Sequence, residues 1–263
     1  MPNGSFPWAE PGDIAVSDAL IAAVGGHPLL AQALARRGIV DIAQARAFLD
    51  PDQYQPTPAS ELPGLTAIAD RLQAAIARAE PICVWGDFDV DGQTATTLLV
   101  ATLRELGATV TYHIPLRDPE GHGITIPALD RVLADGARVL LTCDTGIGAH
   151  EAVAHAQARG VDVLITDHHD LPATLPPARA LVNPKLLPDD HPLRELPGVG
   201  CAYKLAEELL ARAGREAKAA SLLDLVALGI IADLARLTGD VRYLTQRGVG
   251  ALRYCQRVGV RAI

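Results

Sequence analysis

Between Ile82 and His169 the chain repeats one pattern: a short apolar run, then a stretch with helical spacing. Ile82 to Phe88 reads as a strand and Asp91 to Leu106 as a helix stopped by Gly107. Thr109 to Ile114 is a strand, and Ile126 to Ala134 a helix ending near Gly136. Arg138 to Cys143 is a strand that runs into Asp144, and Ala149 to Arg159 a helix stopped by Gly160. Val161 to Thr166 is a strand that runs into Asp167-His168-His169. This βαβαβ alternation predicts an α/β fold, a parallel twisted sheet with helices on both faces. The strands are nearly continuous apolar runs, as strands buried on both faces should be.

The first strand exit, Val84-Trp85-Gly86-Asp87-Phe88-Asp89-Val90-Asp91-Gly92, carries carboxylates at alternate positions. Aspartate is disfavoured in strands, and like charges this close repel unless a cation sits among them. Taken alone, the stretch fits a metal site and a solvated acidic turn equally. The other strand exits bear on the choice, because ligands of such sheets bind at the carboxyl ends of the strands. Asp87, Asp89 and Asp91 follow the first strand, Asp144 the third, and Asp167-His168-His169 the fourth. Helix capping explains one such position. It does not explain three that converge, nor tandem histidines.

Carboxylate with imidazole, and no thiolate at these positions, suits Mn²⁺ or Mg²⁺. The donors are too many for one ion and suit a pair about 4 Å apart, which activates water and stabilises phosphoryl charge. Phosphoester hydrolysis is the natural use. Arg117 to Gly123 (Arg-Asp-Pro-Glu-Gly-His-Gly) follows the second strand and can lie at the same edge. An arginine fork matches phosphate. A glycine-rich turn with a structural Arg–Glu pair is the other reading.

The flanking segments are plainer. Residues 1–64 are expected to form a helical N-terminal segment and linker, with helices at Ser17 to Val24, Pro28 to Arg37 and, capped by Asp41, Ile42 to Leu49. The prolines between Pro51 and Pro63 mark the linker. A helix at Leu65 to Ala79 opens the main domain, residues 65–240, and 241–263 begin a connecting helix. Pro172 to Pro188 is proline-rich and reads as largely loop. Leu196-Pro197-Gly198-Val199-Gly200 precedes a helix at Ala202 to Leu210, and Ser221 to Ala232 is an apolar helix ending at Asp233, an odd place for a surface residue.

Nowhere in the 263 residues is there an uncharged apolar run near the roughly 18 a membrane span needs. The start, MPNGSFPWAEPGD, has no signal-peptide pattern. Cys83, Cys143, Cys201 and Cys255 are widely spaced, which argues against a zinc ribbon or disulfide framework and fits a reducing cytoplasm. A net charge of −8 is unusual for a non-specific nucleic-acid binder, although bound cations would offset part of it. From Leu234 onward Arg236, Arg242, Arg247, Arg253, Arg257 and Arg261 face only Asp240. They read either as a face tracking a nucleic-acid backbone or as a solvated helix face.

Taken together, Gly86 to Gly92, Arg117 with Glu120-Gly121-His122-Gly123, Thr142-Cys143-Asp144-Thr145-Gly146-Ile147, Thr166-Asp167-His168-His169 and Ala227 to Asp233 carry a resemblance. In this order they resemble the DHH phosphoesterases, and within them the branch of bacterial 5′-to-3′ exonucleases specific for single-stranded DNA. The resemblance runs from about Pro28 onward. It implies that Asp89 and Asp91 each hold one metal ion, that Asp144 bridges the two, and that His168 and Asp233 complete the site containing Asp91. It implies that His169 contacts the scissile phosphate with Arg117 and His122 nearby, and that Asp167 orients the histidines. Two divalent ions, Mn²⁺ or Mg²⁺, are the implied cofactors. Single-stranded DNA is the implied partner, with a single-stranded-DNA-binding protein and a helicase further ones; a monomer without membrane attachment is expected.

Two departures qualify it. Many DHH relatives carry a histidine four residues before Asp89, where this chain has Trp85, whose indole only donates. Asp87 is expected to supply that ligand or to leave the first metal weakly held. The resemblance also implies a chain that continues beyond residue 263 into a cleft-closing domain and an oligonucleotide-binding fold. The competing readings are a phosphodiesterase of short oligonucleotides or cyclic dinucleotides, a pyrophosphatase, and a non-catalytic scaffold. The GDFDVDG form with Trp85 argues against the pyrophosphatase, and the retained carboxylates argue against the scaffold.

Overall fold

The structure is a computed structural model describing residues 11–262 apart from residue 13. The first ten residues, on which the reading of the N-terminus rests, lie outside the described residues. Two compact units divide between Gln55 and Pro56.

The first unit holds helices α1 (Asp18–Ala23), α2 (Pro28–Ala35) and α3 (Ile42–Leu49), gathered on Leu20, Val24, Ala31, Leu34 and Ala45. Asp41 caps α3 as expected, its carboxylate accepting from Gln44 N at 2.8 Å. The second unit takes in Leu62 and its neighbours because their side chains enter its core.

That unit opens with α4 (Leu65–Ala77), whose Leu65, Ile68, Ala69, Leu72 and Ala75 repeat at helical spacing on one buried face. There follow β1 (Ile82–Trp85), α5 (Val90–Glu105), β2 (Val110–His113), α6 (Ile126–Ala134), β3 (Val139–Cys143), α7 (His150–Gln157), β4 (Asp162–Thr166) and β5 (Ala180–Val182). The strands form one parallel sheet in the order β2-β1-β3-β4-β5. Alternate residues face opposite sides. Ile82, Val84 and Leu141 enter a core with α4 and α5, whereas Cys83, Trp85, Leu140 and Ile165 pack with α6 and α7. The expected α/β sheet, covered on both faces, is what the chain forms.

The proline-rich stretch is largely loop, as expected, but it also holds the short strand β5, because Ala180–Val182 lies between its prolines and pairs with β4 without losing a ladder donor. Two expectations are corrected. β2 is an edge strand with Thr111 and Tyr112 exposed, so it is not doubly buried. The helix expected from Ala202 begins earlier, as α8 (Gly198–Arg212), and the reason is a partner distant in sequence, described below.

The remaining helices are α9 (Leu223–Ala232), α10 (Gly239–Leu252), which runs through residue 240, and α11 (Val258–Arg261). Asp240 is buried against Lys204 Nζ at 3.2 Å and Thr57 Oγ1 at 2.8 Å. Arg257 is held by Asp224 at 2.8 Å and by Ser221 O at 2.7 Å, so it does not belong to a free basic face. Among the described residues, no helix is long and apolar enough to cross a membrane.

Candidate metal centre

The strand order reverses between β1 and β3. The chain leaving β1 enters α5 on one face, and the chain leaving β3 enters α7 on the other. A crevice opens where such connections diverge. The acidic turn after β1 is built into its edge.

Asp89 is the N-cap of α5, its Oδ1 accepting from Gly92 N at 2.9 Å. Asp91, in the first turn, is buried, and its two oxygens accept from Gly198 N at 2.7 Å and Val199 N at 2.8 Å. The N-terminus of α8, which lacks a side-chain cap of its own, is thus closed by a carboxylate from α5. Sequence reasoning gave Gly198 and Val199 no role. The only local signal was a Pro-Gly-Val-Gly run without a capping residue.

Asp144 leaves β3 in the left-handed region at φ 60, a strained conformation for a non-glycine residue. It is buried, and its Oδ1 lies 3.0 Å from His168 Nε2 without making a hydrogen bond. A Cβ added at Gly198 would stand 2.5 Å from Asp144 Cβ and 2.6 Å from its Oδ1. Only glycine fits there.

After β4, Asp167 is buried and locks its neighbours. Its Oδ1 accepts from His168 N at 2.7 Å, His169 N at 3.1 Å and His169 Nδ1 at 2.7 Å, while its Oδ2 accepts from Ile147 N at 2.8 Å. Asn183, just beyond β5 and also overlooked in the sequence, donates to His169 O at 2.9 Å. Asp233 ends α9, half-buried.

Two sets of donor atoms result, each within 4.8 Å: Asp144, His168 and His169, and Asp91, His168 and Asp233. His168 belongs to both. Asp87 and Asp89 share the turn but enter neither set. Asp87 Oδ1 accepts from Phe88 N at 2.5 Å, and its Oδ2 lies 2.8 Å from His122 Nδ1. His122 and Arg117 gather on Phe88 instead, the imidazole 4.1 Å and the guanidinium carbon 4.3 Å from its ring centre. Glu120 pairs with Arg131 at 2.6 Å and His113 at 3.2 Å, so an Arg117–Glu120 pair does not account for the loop. Trp85 is buried, and its indole donates to Gly123 O at 3.2 Å.

Burial, followed by the charge of Asp89, pushes the Asp144 carboxyl up to about 9. Burial and then Asp144 push Asp91 well up, and burial raises Asp233. For Asp167 burial acts upward, but the His169 hydrogen bond and its companions outweigh it and hold the carboxyl low. That same bond raises His169 to about 9. Without a cation the cluster therefore retains protons.

A raised folded-state value means the native state binds the proton more tightly than the unfolded chain does. For Asp144 and His169 the resulting stability is present at low pH and is lost as pH rises toward about 9. With chelator present, the melting temperature is expected to fall by ~5 °C or more between about pH 6 and about pH 9. At about pH 8.5, Mn²⁺ at roughly 100 times its dissociation constant should raise it by ~5–10 °C. Differential scanning calorimetry checks both; a melting temperature that rises with pH in chelator would contradict a proton-holding cluster.

Residues 81–230 match the family model described as "DHH family, N-terminal domain". The chain belongs to the DHH family. Among its DHH relatives is the single-stranded-DNA-specific exonuclease RecJ of Bacillus subtilis (strain 168), 40% identical over 239 residues that make up 90% of this chain and 29% of that protein. RecJ of Thermus thermophilus in complex with Mn²⁺ superposes with a TM-score of 0.77 at 34% identity, covering 92% of this chain and 34% of the other. The same protein in complex with Mg²⁺ superposes with a TM-score of 0.66 at 30% identity, covering 92% and 30%. The chain thus spans about a third of the length of these DHH relatives.

Proposed function

We propose that this chain is the catalytic part of a divalent-metal-dependent exonuclease that degrades single-stranded DNA from the 5′ end, in DNA repair and recombination. The observation that carries this reading is the buried, unsatisfied Oδ1 of Asp144 beside two donor sets that share His168. A buried acceptor without a partner is costly, and a cation would satisfy it, so the donor set fits a pair of metal ions. The names and bound metals of the RecJ relatives support the substrate class and the choice of Mn²⁺ or Mg²⁺.

Asp91, His168 and Asp233 would hold one ion, Asp144 would bridge to a second, and Asp89 and Asp87 would complete the second from the turn after β1. Both charges already act on Asp144. Bound there, the ions would supply a nucleophilic hydroxide and stabilise phosphoryl charge during in-line displacement. The chain's own groups position the strand. Asp167 keeps His169 protonated near neutral pH, so its imidazolium donates to a phosphate oxygen. Arg117 and His122 bind the phosphate from the loop after β2. A single-stranded-DNA-binding protein and a helicase, which present such strands, are further partners of this reading. Monomeric chains in a cytoplasm that keeps the free thiols reduced also belong to it.

The test offers 5′-labelled single-stranded DNA, a dinucleotide, cyclic dinucleotides and pyrophosphate, each with Mn²⁺ and with EDTA. Stepwise release of nucleotides from DNA, abolished by EDTA, is expected. Cleavage confined to the small substrates would replace this reading with that of a small-substrate phosphodiesterase. Inactivity towards all of them would favour a scaffold.

A further inference from the structure

Phe88 stands between Asp87 and Asp89 in the acidic turn, yet it belongs to neither apolar core of the sheet. Its ring carries the Arg117 guanidinium at 4.3 Å and the His122 imidazole at 4.1 Å, tilted by 43°. Both partners are exposed. Among the described residues Arg117 makes no hydrogen bond or ion pair, so the aromatic face alone holds its head group. A ring face attracts a guanidinium while leaving its donor edge free. His122 is fixed a second time by Asp87 at Nδ1, which leaves Nε2 for a ligand.

We propose that Phe88 is a positioning residue for substrate phosphate, holding Arg117 and His122 beside the metal-ligating turn. The inference rests on the nuclease reading above and assigns a residue that reading does not use. An arginine side chain loses much rotamer freedom when it binds; stacked on Phe88, Arg117 has surrendered part of it beforehand. The same ring ties the loop after β2 to the turn after β1. Phosphate contacts and metal ligands therefore move as one body, with Trp85 anchoring the far end of the loop at Gly123.

The test compares Phe88→Leu, Phe88→Tyr, Arg117→Ala and the Phe88→Leu/Arg117→Ala double variant in the full chain. Phe88→Leu is expected to raise KM for single-stranded DNA roughly ten-fold, with kcat changed by less than about three-fold. It should also lower the slope of log KM against log salt by about one, as Arg117→Ala should. Phe88→Tyr, which keeps the ring, should restore both to within about two-fold. The double variant should lose less than the two single losses combined, since Phe88 acts through Arg117 and otherwise only through His122, which Asp87 also fixes. Additive losses, or an unchanged salt slope in Phe88→Leu, would overturn the proposal while leaving the nuclease reading intact. Wild-type protein that neither cleaves the DNA nor binds it by fluorescence anisotropy would overturn that reading, and this proposal with it.

Discussion

His168→Ala is expected to eliminate metal-dependent cleavage. Its imidazole is the one donor common to both three-residue sets, and its Nε2 lies 3.0 Å from the unsatisfied Asp144 oxygen. Losing a group that merely orients a metal ligand costs ~10–100-fold; losing a ligand itself should cost more. The rise in melting temperature on adding Mn²⁺ should vanish as well. The side chain is 19% exposed and belongs to neither apolar core, so circular dichroism should stay native. Retained binding of two ions by calorimetric titration would sink the assignment.

Gly198→Ala is expected to have the second large effect. The added methyl would lie 2.5–2.7 Å from the Cβ, Oδ1 and Cγ of Asp144, and neither side can yield easily. Asp144 is buried with a left-handed backbone, and Gly198 N is bonded to Asp91. Overpacking of this kind costs ~1–3 kcal/mol of stability, and the cleavage rate should fall further than stability does, because the displaced groups are the candidate ligands. Gly250→Ala in α10, where an added Cβ meets nothing within 4 Å, is the control: it should leave cleavage unchanged and stabilise the fold by ~0.5–1 kcal/mol. Equal rates for the two variants would remove Gly198 from the site.

The features legible in the sequence were those with a local physical cause. β1, β3 and β4 could be read because strands covered on both faces must be apolar throughout, and each ends where polar residues begin. The places of Asp91, Asp144 and His168 at one sheet edge followed from that alone. What escaped notice depends on contacts that no local pattern encodes. β5 is three residues long and lies among prolines. The start of α8 is set by Asp91, and the need for glycine at 198 by a carboxylate from β3. Phe88 looked like an apolar residue in an acidic turn, and only the fold shows which cations lie on its ring. The Arg117–Glu120 pairing considered as the plain explanation of its loop failed because Arg131 and His113, from α6 and β2, reach Glu120 instead.

The bond between Asp91 and the start of α8 spans 107 residues. A ribosome adds ~5–20 residues per second, so Asp91 waits about 5–20 s for its partner amides. Asp233, which completes a donor set, emerges later still. The turn that begins the site is thus made early and closed last. Between the emergence of Asp91 and that of Asp233 the nascent chain carries acidic strand ends without all the elements that gather them into one crevice. The candidate metal centre is therefore complete only once Asp233 has been made, a timing imposed by chain order.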